Sequence, residues 1–352
     1  MVLDPFPATP ELLTADALSA LLGVPVASFA FDRSGITAGF FGDVARLRVA
    51  YADGAAASLP ERMIAKFPSP DPGAFQVGLD RGYYDREVTF YRDYAADCGL
   101  RAPACYGSAV DRESGGAVLL LEDLSAMRLA AERRAPQDAA ALLTRLAAFH
   151  ARRWDNPALG ALPWLPSANS GAERFARDFP IAWPTILRVL GADPAGPLAG
   201  LGAAVAQRLP SIKAAIAEPP QTFLHADLRV ENIFFDDAGV PAIVDWQHCR
   251  RGRAAVDAAS YLFGMGAELT EAQEAALLAD YHAALTASGI TGYALDQCTR
   301  DYRLAMVDRF VSVGSTFAAV APERPGGQAA VKYLNECGLP TFLRMVEAAG
   351  IQ

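Results

Sequence analysis

The chain has 352 residues, 52% of them hydrophobic, and a formal net charge of −9 from 31 Lys and Arg against 40 Asp and Glu. That length accommodates two modest domains with a sizeable core. No apolar run approaches a membrane span, and the acidic balance argues against a general nucleic-acid binder. Five cysteines (Cys98, Cys105, Cys249, Cys298 and Cys337) are scattered, odd in number and without zinc-ligand spacing, which suits a reducing cytoplasm. The opening MVLDPFPATPELL has no basic stretch ahead of an apolar one, so no secretory signal is expected and the expected location is cytoplasmic.

Residues 9–22 carry cap candidates at Thr9 and Thr14 with Gly23 just beyond, which predicts a short amphipathic helix. From 26 to 51 the pattern alternates, punctuated by Gly35, Gly39 and Gly42, and predicts two antiparallel strands around a glycine-containing turn. Glycines such as Gly39 and Gly42 let backbone N–H groups approach phosphate oxygens; they also serve as plain turn chemistry. Lys66 interrupts an apolar strand, RMIAKF, where an ammonium needs a partner. The following segment, 75–98, has apolar residues at helical spacing with Glu87 among them, and Glu87 is the expected partner of Lys66. Two more strands are expected at 103–107 and 116–121, the second an unbroken apolar run leading into Glu122 and Asp123.

Beyond Ser125 the pattern turns helical. Residues 136–154 predict a strong helix with Asp138 in its first turn, whose His150 reads as a packed or capping rather than a catalytic histidine. Helical stretches are expected at 172–190, interrupted by Pro180 and Pro184, and at 198–217, kinked or divided at Pro210. Further helices are expected from about 255, over 270–288 and 295–318, and over 328–349 with a break near Gly338.

Between these helices lies FLHADLRVENIFFDDAGVPAIVDWQ, residues 223–247. Two short apolar runs joined by Asp236-Asp237-Ala238-Gly239 predict a β-hairpin. Such pairing brings Asn232 beside Asp245, with Asp227 in the loop before them. Three oxygen donors so placed suit magnesium, which prefers hard oxygen ligands and takes one or two carboxylates together with phosphate oxygens.

This stretch resembles the catalytic and metal loops of the aminoglycoside phosphotransferase, choline kinase and ecdysteroid kinase-like group, with its H-G-D-x-x-x-x-N and I-D-W or I-D-F segments. Ala226 stands where the group has glycine. The run REVTFY at 86–91 resembles the R-E-x-x-F-Y helix of the ecdysteroid kinase-like members. The resemblance implies an α+β, bilobal, protein-kinase-like fold: an N-terminal nucleotide-binding lobe over 1–122, with an antiparallel sheet and one long helix, and a mostly helical C-terminal lobe over 123–352. It implies ATP and Mg²⁺ as cofactors and transfer of the γ-phosphoryl group to a hydroxyl of a small molecule. It gives Asp227 the role of catalytic base, and Asn232 and Asp245 the metal. Lys66 would hold the phosphates, with Glu87 fixing it. The backbone of Leu121, Glu122 and Asp123 would meet the adenine, and Asp257 would support the catalytic loop. Neither nucleic acid nor membrane is an expected partner. The competing expectation is a catalytically degraded nucleotide-binding protein of the same fold. A protein kinase is disfavoured by Asp245-Trp246-Gln247 in place of D-F-G. The acceptor is not encoded in these motifs; Tyr302, Arg303 and Asp308 are the guesses for its lining.

Overall fold

The computed structural model describes residues 6–33, 41–52 and 59–351. They fall into two compact units, residues 1–128 with 242–248, and residues 129–241 with 249–352. No described helix is long and apolar enough to cross a membrane.

In the first unit, Thr14 caps α1 (Ala15–Leu22) by accepting the N–H of Ala17. Five strands follow, β1 (Val26–Asp32), β2 (Gly42–Tyr51), β3 (Arg62–Pro68), β4 (Cys105–Asp111) and β5 (Gly116–Glu122), in the antiparallel order β1-β2-β3-β5-β4. Alternation in β2 and β3 turns Leu47, Val49, Met63, Ala65 and Phe67 to one face, where they meet Leu18 and Leu21 of α1. β5 is buried along almost its whole length, as its uninterrupted apolar sequence requires. Between β3 and β4 the expected helix is divided into α2 (Pro72–Asp80) and α3 (Tyr83–Asp93). The break falls at Gly82, whose φ of 64° an ordinary side chain resists.

After β6 (Arg128–Leu129), the second unit is built on α4 (Pro136–Ala151), α5 (Ala172–Val189) and α6 (Leu201–Ala215). Two short strands come next, β7 (Thr222–Leu224) and β8 (Ile233–Phe235); the chain then enters the 242–248 segment of the first unit through β9 (Pro241–Ile243) and returns with β10 (Arg250–Gly252), which pairs antiparallel with β7. The helices α7 (Ala255–Met265), α8 (Glu271–Ala287), α9 (Leu295–Gly314), α10 (Pro325–Cys337) and α11 (Leu339–Ala348) complete it. α5 runs unbroken through Pro180 and Pro184, contrary to the interruption expected from the sequence, and α6 is not divided at Pro210. An interior proline costs about 3 kcal/mol. Burial of Phe175, Phe179, Ala182, Trp183, Ile186 and Leu187 along one face of α5 outweighs it, at about 1.5–3 kcal/mol for each large side chain. These side chains join Phe310 and Phe342, stacked with centroids 3.8 Å apart, in the core of this unit.

Candidate active site

In the first unit the chemistry gathers around Lys66. β3 delivers its ammonium to Glu87 of α3, with Nζ 2.8 Å from Oε1 and 2.7 Å from Oε2, and to Asp245, with Nζ 2.6 Å from Oδ1. Gly42, at the start of β2, leaves room for the lysine chain: an added Cβ would stand 3.1 Å from Lys66 Cε. Burial opposes the Lys66 charge, yet the carboxylates of Asp245 and Glu87 together outweigh it and hold its pKa above the ordinary lysine value. Glu87 is buried more deeply, and that burial pushes its carboxyl up against the pull of Lys66.

The segment carrying Asp245 is fastened from several sides. Ile243 donates its N–H to the Arg101 carbonyl at 2.8 Å, and Trp246 stacks on Phe90 of α3 with centroids 4.1 Å apart. Arg86 Nη1 donates to the Gln247 carbonyl at 2.9 Å. Asp245 itself takes φ 67°, a left-handed conformation that aspartate tolerates better than most residues. At the end of β5, Glu122 accepts from Arg101 at 2.9 Å and from the Ala104 N–H at 3.1 Å, while Asp123 lies 3.6 Å from Arg46. Leu121 is buried. Gly39 lies outside the described residues.

In the second unit the chain leaves β7 through His225, Ala226 and Asp227. Asp257, near the start of α7, accepts the N–H of His225 at 2.8 Å and that of Ala226 at 2.7 Å. His150 of α4 completes this buried cluster, with Nε2 3.2 Å from Asp257 and Nδ1 2.7 Å from the Tyr281 hydroxyl, so it is a packed histidine. Burial alone would raise the Asp257 pKa; the hydrogen bond and charge of His150, then His225 and the Ala226 N–H, outweigh it and set the pKa below the ordinary aspartate value. Held in this way, Ala226 takes φ 63°. A glycine is at ease in that conformation, and an alanine is not. Downstream, Asn232 Nδ2 donates to the Asp227 carbonyl at 3.0 Å, closing the loop and leaving Asn232 Oδ1 as the oxygen donor.

Sequence reasoning missed one neighbour of Asp227. Arg309 of α9 places Nη2 2.8 Å from Asp227 Oδ1. It is eighty-two positions away along the chain, and no local pattern marks it. Of the residues guessed for the acceptor lining, Tyr302 is buried with its hydroxyl donating to Glu274 at 2.8 Å, Asp308 lies 2.7 Å from the buried Lys213, and Arg303 is exposed.

Two outcomes test the loop support. A carboxyl whose folded pKa lies below its unfolded value of about 3.9 contributes stability above that value and loses it as pH falls through the folded pKa. Asp257→Asn should therefore lower the stability measured by urea unfolding at pH 7 by about 2 kcal/mol, and the gap to wild type should narrow below about pH 4. A gap unchanged at pH 3 would contradict the assignment. Ala226→Gly should raise stability by about 0.5–1 kcal/mol by relieving the left-handed alanine; a loss of stability would show that the strain is absent.

A family model described as the phosphotransferase enzyme family matches residues 37–294. Among solved structures, the fold is similar to that of an ethanolamine kinase from Plasmodium vivax, with a TM-score of 0.56, 12% identity and coverage of 91% of this chain and 85% of that one. It is similar to a choline kinase from Streptococcus pneumoniae, with a TM-score of 0.52, 12% identity and coverage of 95% and 96%. It is also similar to the GDP complex of an aminoglycoside 2'-phosphotransferase of type IIIa, with a TM-score of 0.56, 14% identity and coverage of 94% and 100%. No curated protein matches the chain significantly. The solved structures share a kinase-like fold with this chain, and the matched segment takes in Lys66, Glu87, Asp227, Asn232, Asp245 and Asp257 alike: the chain belongs to the phosphotransferase enzyme family.

Proposed function

We propose that this chain transfers the γ-phosphoryl group of ATP to a hydroxyl of a small molecule. The observation that carries the reading is the Lys66 ammonium held between Glu87 and Asp245, 2.7 Å and 2.6 Å from their nearest oxygens. A lysine fixed in this way suits phosphate oxygens, and a carboxylate beside it suits the metal that travels with them. In the reaction the acceptor oxygen attacks the γ-phosphorus, a new P–O bond forms as the bond to the β–γ bridging oxygen breaks, and ADP leaves. Asp227 orients the acceptor hydroxyl and takes its proton. Leu121, Glu122 and Asp123 would offer backbone groups to the adenine, and Gly42 would lie against the phosphates.

Magnesium is the metal that the donors fit. Among the described residues no group of three or more His, Cys, Asp or Glu could hold an ion alone. The Asp245 carboxylate and Asn232 Oδ1 are hard oxygens of the kind that magnesium takes in small number alongside phosphate. When bound, the ion would neutralise charge spreading over the transferred phosphoryl oxygens.

By their names, proteins of similar fold act on ethanolamine, choline, aminoglycosides and macrolides, and one was solved with GDP. Those compounds, with ATP or GTP as donor, form the first panel for an ADP- or GDP-release assay. The expected result is release that depends on one acceptor class and falls about 10²–10⁴-fold in Asp227→Asn, while the thermal shift caused by nucleotide is retained. A near wild-type rate in Asp227→Asn removes Asp227 as the base; nucleotide binding with no acceptor-dependent release in wild type favours the degraded reading. Calorimetry examines the metal assignment separately. Asp245→Ala should weaken ATP binding in magnesium far more than in EDTA, and equal losses would make Asp245 merely the anchor of Lys66.

A further inference from the structure

The geometry points to Arg309 as a positioning residue for Asp227, an inference that rests on the reading of Asp227 as the base. Arg309 Nη2 stands 2.8 Å from Asp227 Oδ1, and the two side chains are 13% and 12% exposed. A pair so well shielded is not an ordinary surface ion pair, because little water competes for either charge. Arg309 is braced from beneath by Tyr333 of α10, whose ring centroid lies 5.4 Å from its Cζ. The same ring lies 5.0 Å from Arg229 Cζ, and Arg229 Nε is 3.9 Å from Asp227 Oδ2. Tyr333 is fixed in turn by its hydroxyl, which donates to Glu231 at 2.7 Å, and Glu231 also pairs with Lys332.

One aromatic platform thus holds a guanidinium at each oxygen of the carboxylate. Arg309 has one further telling feature: its Nε is buried and has no hydrogen-bond partner among the described residues. Its guanidinium is therefore placed to meet Asp227, at the expense of one of its own donors. A base acts only if it presents one oxygen in a fixed direction, and a carboxylate free to rotate presents neither reliably. With Oδ1 engaged by Arg309, Oδ2 is the oxygen that faces Asn232 Nδ2, 3.5 Å away, and Arg229 Nε, 3.9 Å away. Arg309 and Tyr333 both lie beyond residue 294, where the match to the family ends. The positioning device is supplied by the C-terminal helices of this chain.

The test uses the full chain with MgATP and, in turn, ethanolamine, choline, an aminoglycoside and a macrolide as acceptors, with water as the blank and ADP release as the readout. Arg309→Met should lower kcat about 10- to 100-fold, the scale of a misplaced catalytic group, with KM for ATP changed by less than about twofold. Arg309→Lys should recover part of the loss, since it restores the charge without the planar fork. In the Asp227→Asn background, Arg309→Met should slow release by no more than about twofold, because residues acting as one unit do not add. An unchanged kcat in Arg309→Met, or a full multiplication of the two losses, overturns the positioning role. Urea unfolding of wild type, Arg309→Met, Asp227→Asn and the double variant supplies an arm independent of activity. A coupling between the two sites of about fivefold or more in the unfolding constant supports the pair, and additive unfolding overturns it. A wild-type chain that shows coupling but releases no ADP with any acceptor retires the phosphotransfer reading, and the positioning role with it; an active wild type indifferent to Arg309 retires the inference alone.

Discussion

The Lys66 ammonium, shared by Glu87 and Asp245, is the interaction on which the first unit depends. A buried lysine is tolerated when its charge is paired, and removing one partner of a buried pair costs about 3–5 kcal/mol. The three groups arrive from a strand, a helix and a segment nearly two hundred residues downstream. Their meeting requires β3 beside β2, α3 in its place, and residues 242–248 tied back through Arg101, Arg86 and Phe90. Gly42 belongs to the same arrangement, since any larger residue would press on the lysine stem.

The second unit has its own buried polar hub. Asp257 receives two backbone N–H groups and one imidazole at full burial, which satisfies a carboxylate that would otherwise be costly to enclose. The backbone turn through Ala226 is a consequence: the two N–H groups that Asp257 accepts set the path of the loop before Asp227. Alanine in a left-handed conformation is a local strain, and it sits beside the residue proposed as the base. Backbone strain of this kind persists where the surroundings over-determine it, and here Asp257 provides that constraint.

Around the proposed base the second unit adds a layer that the family match does not reach. Arg309 and Tyr333 come from the C-terminal helices, whose apolar faces pack through Phe310, Phe342 and Phe263. The packing of those helices and the electrostatics at Asp227 are therefore one problem: α9 buries Phe310, and the preceding residue of the same turn, Arg309, reaches the carboxylate.

Much of this was legible in the sequence, and the reasons are local. Alternation in β2 and β3, the run of β5, the Thr14 cap and the turn at Asp236–Gly239 each express physics confined to a few neighbouring residues. The Lys66–Glu87 pair was legible because each charge stands among apolar residues, which demands a partner. The spacing of Asp227, Asn232 and Asp245, with the family resemblance, marked the loop. The prolines of α5 were misread, because local propensity of about 3 kcal/mol yields to burial that only the folded chain supplies. The division of α2 from α3 went unread because the apolar periodicity of 75–98 runs on past Gly82, whose left-handed conformation marks the break. Tertiary structure alone decided that Asp245 shares the Lys66 charge and that Arg309 reaches Asp227, whereas support of the loop by Asp257 was already expected from the family resemblance. Contacts between residues far apart in sequence leave no periodicity behind them; they exist only once the helices and strands have packed.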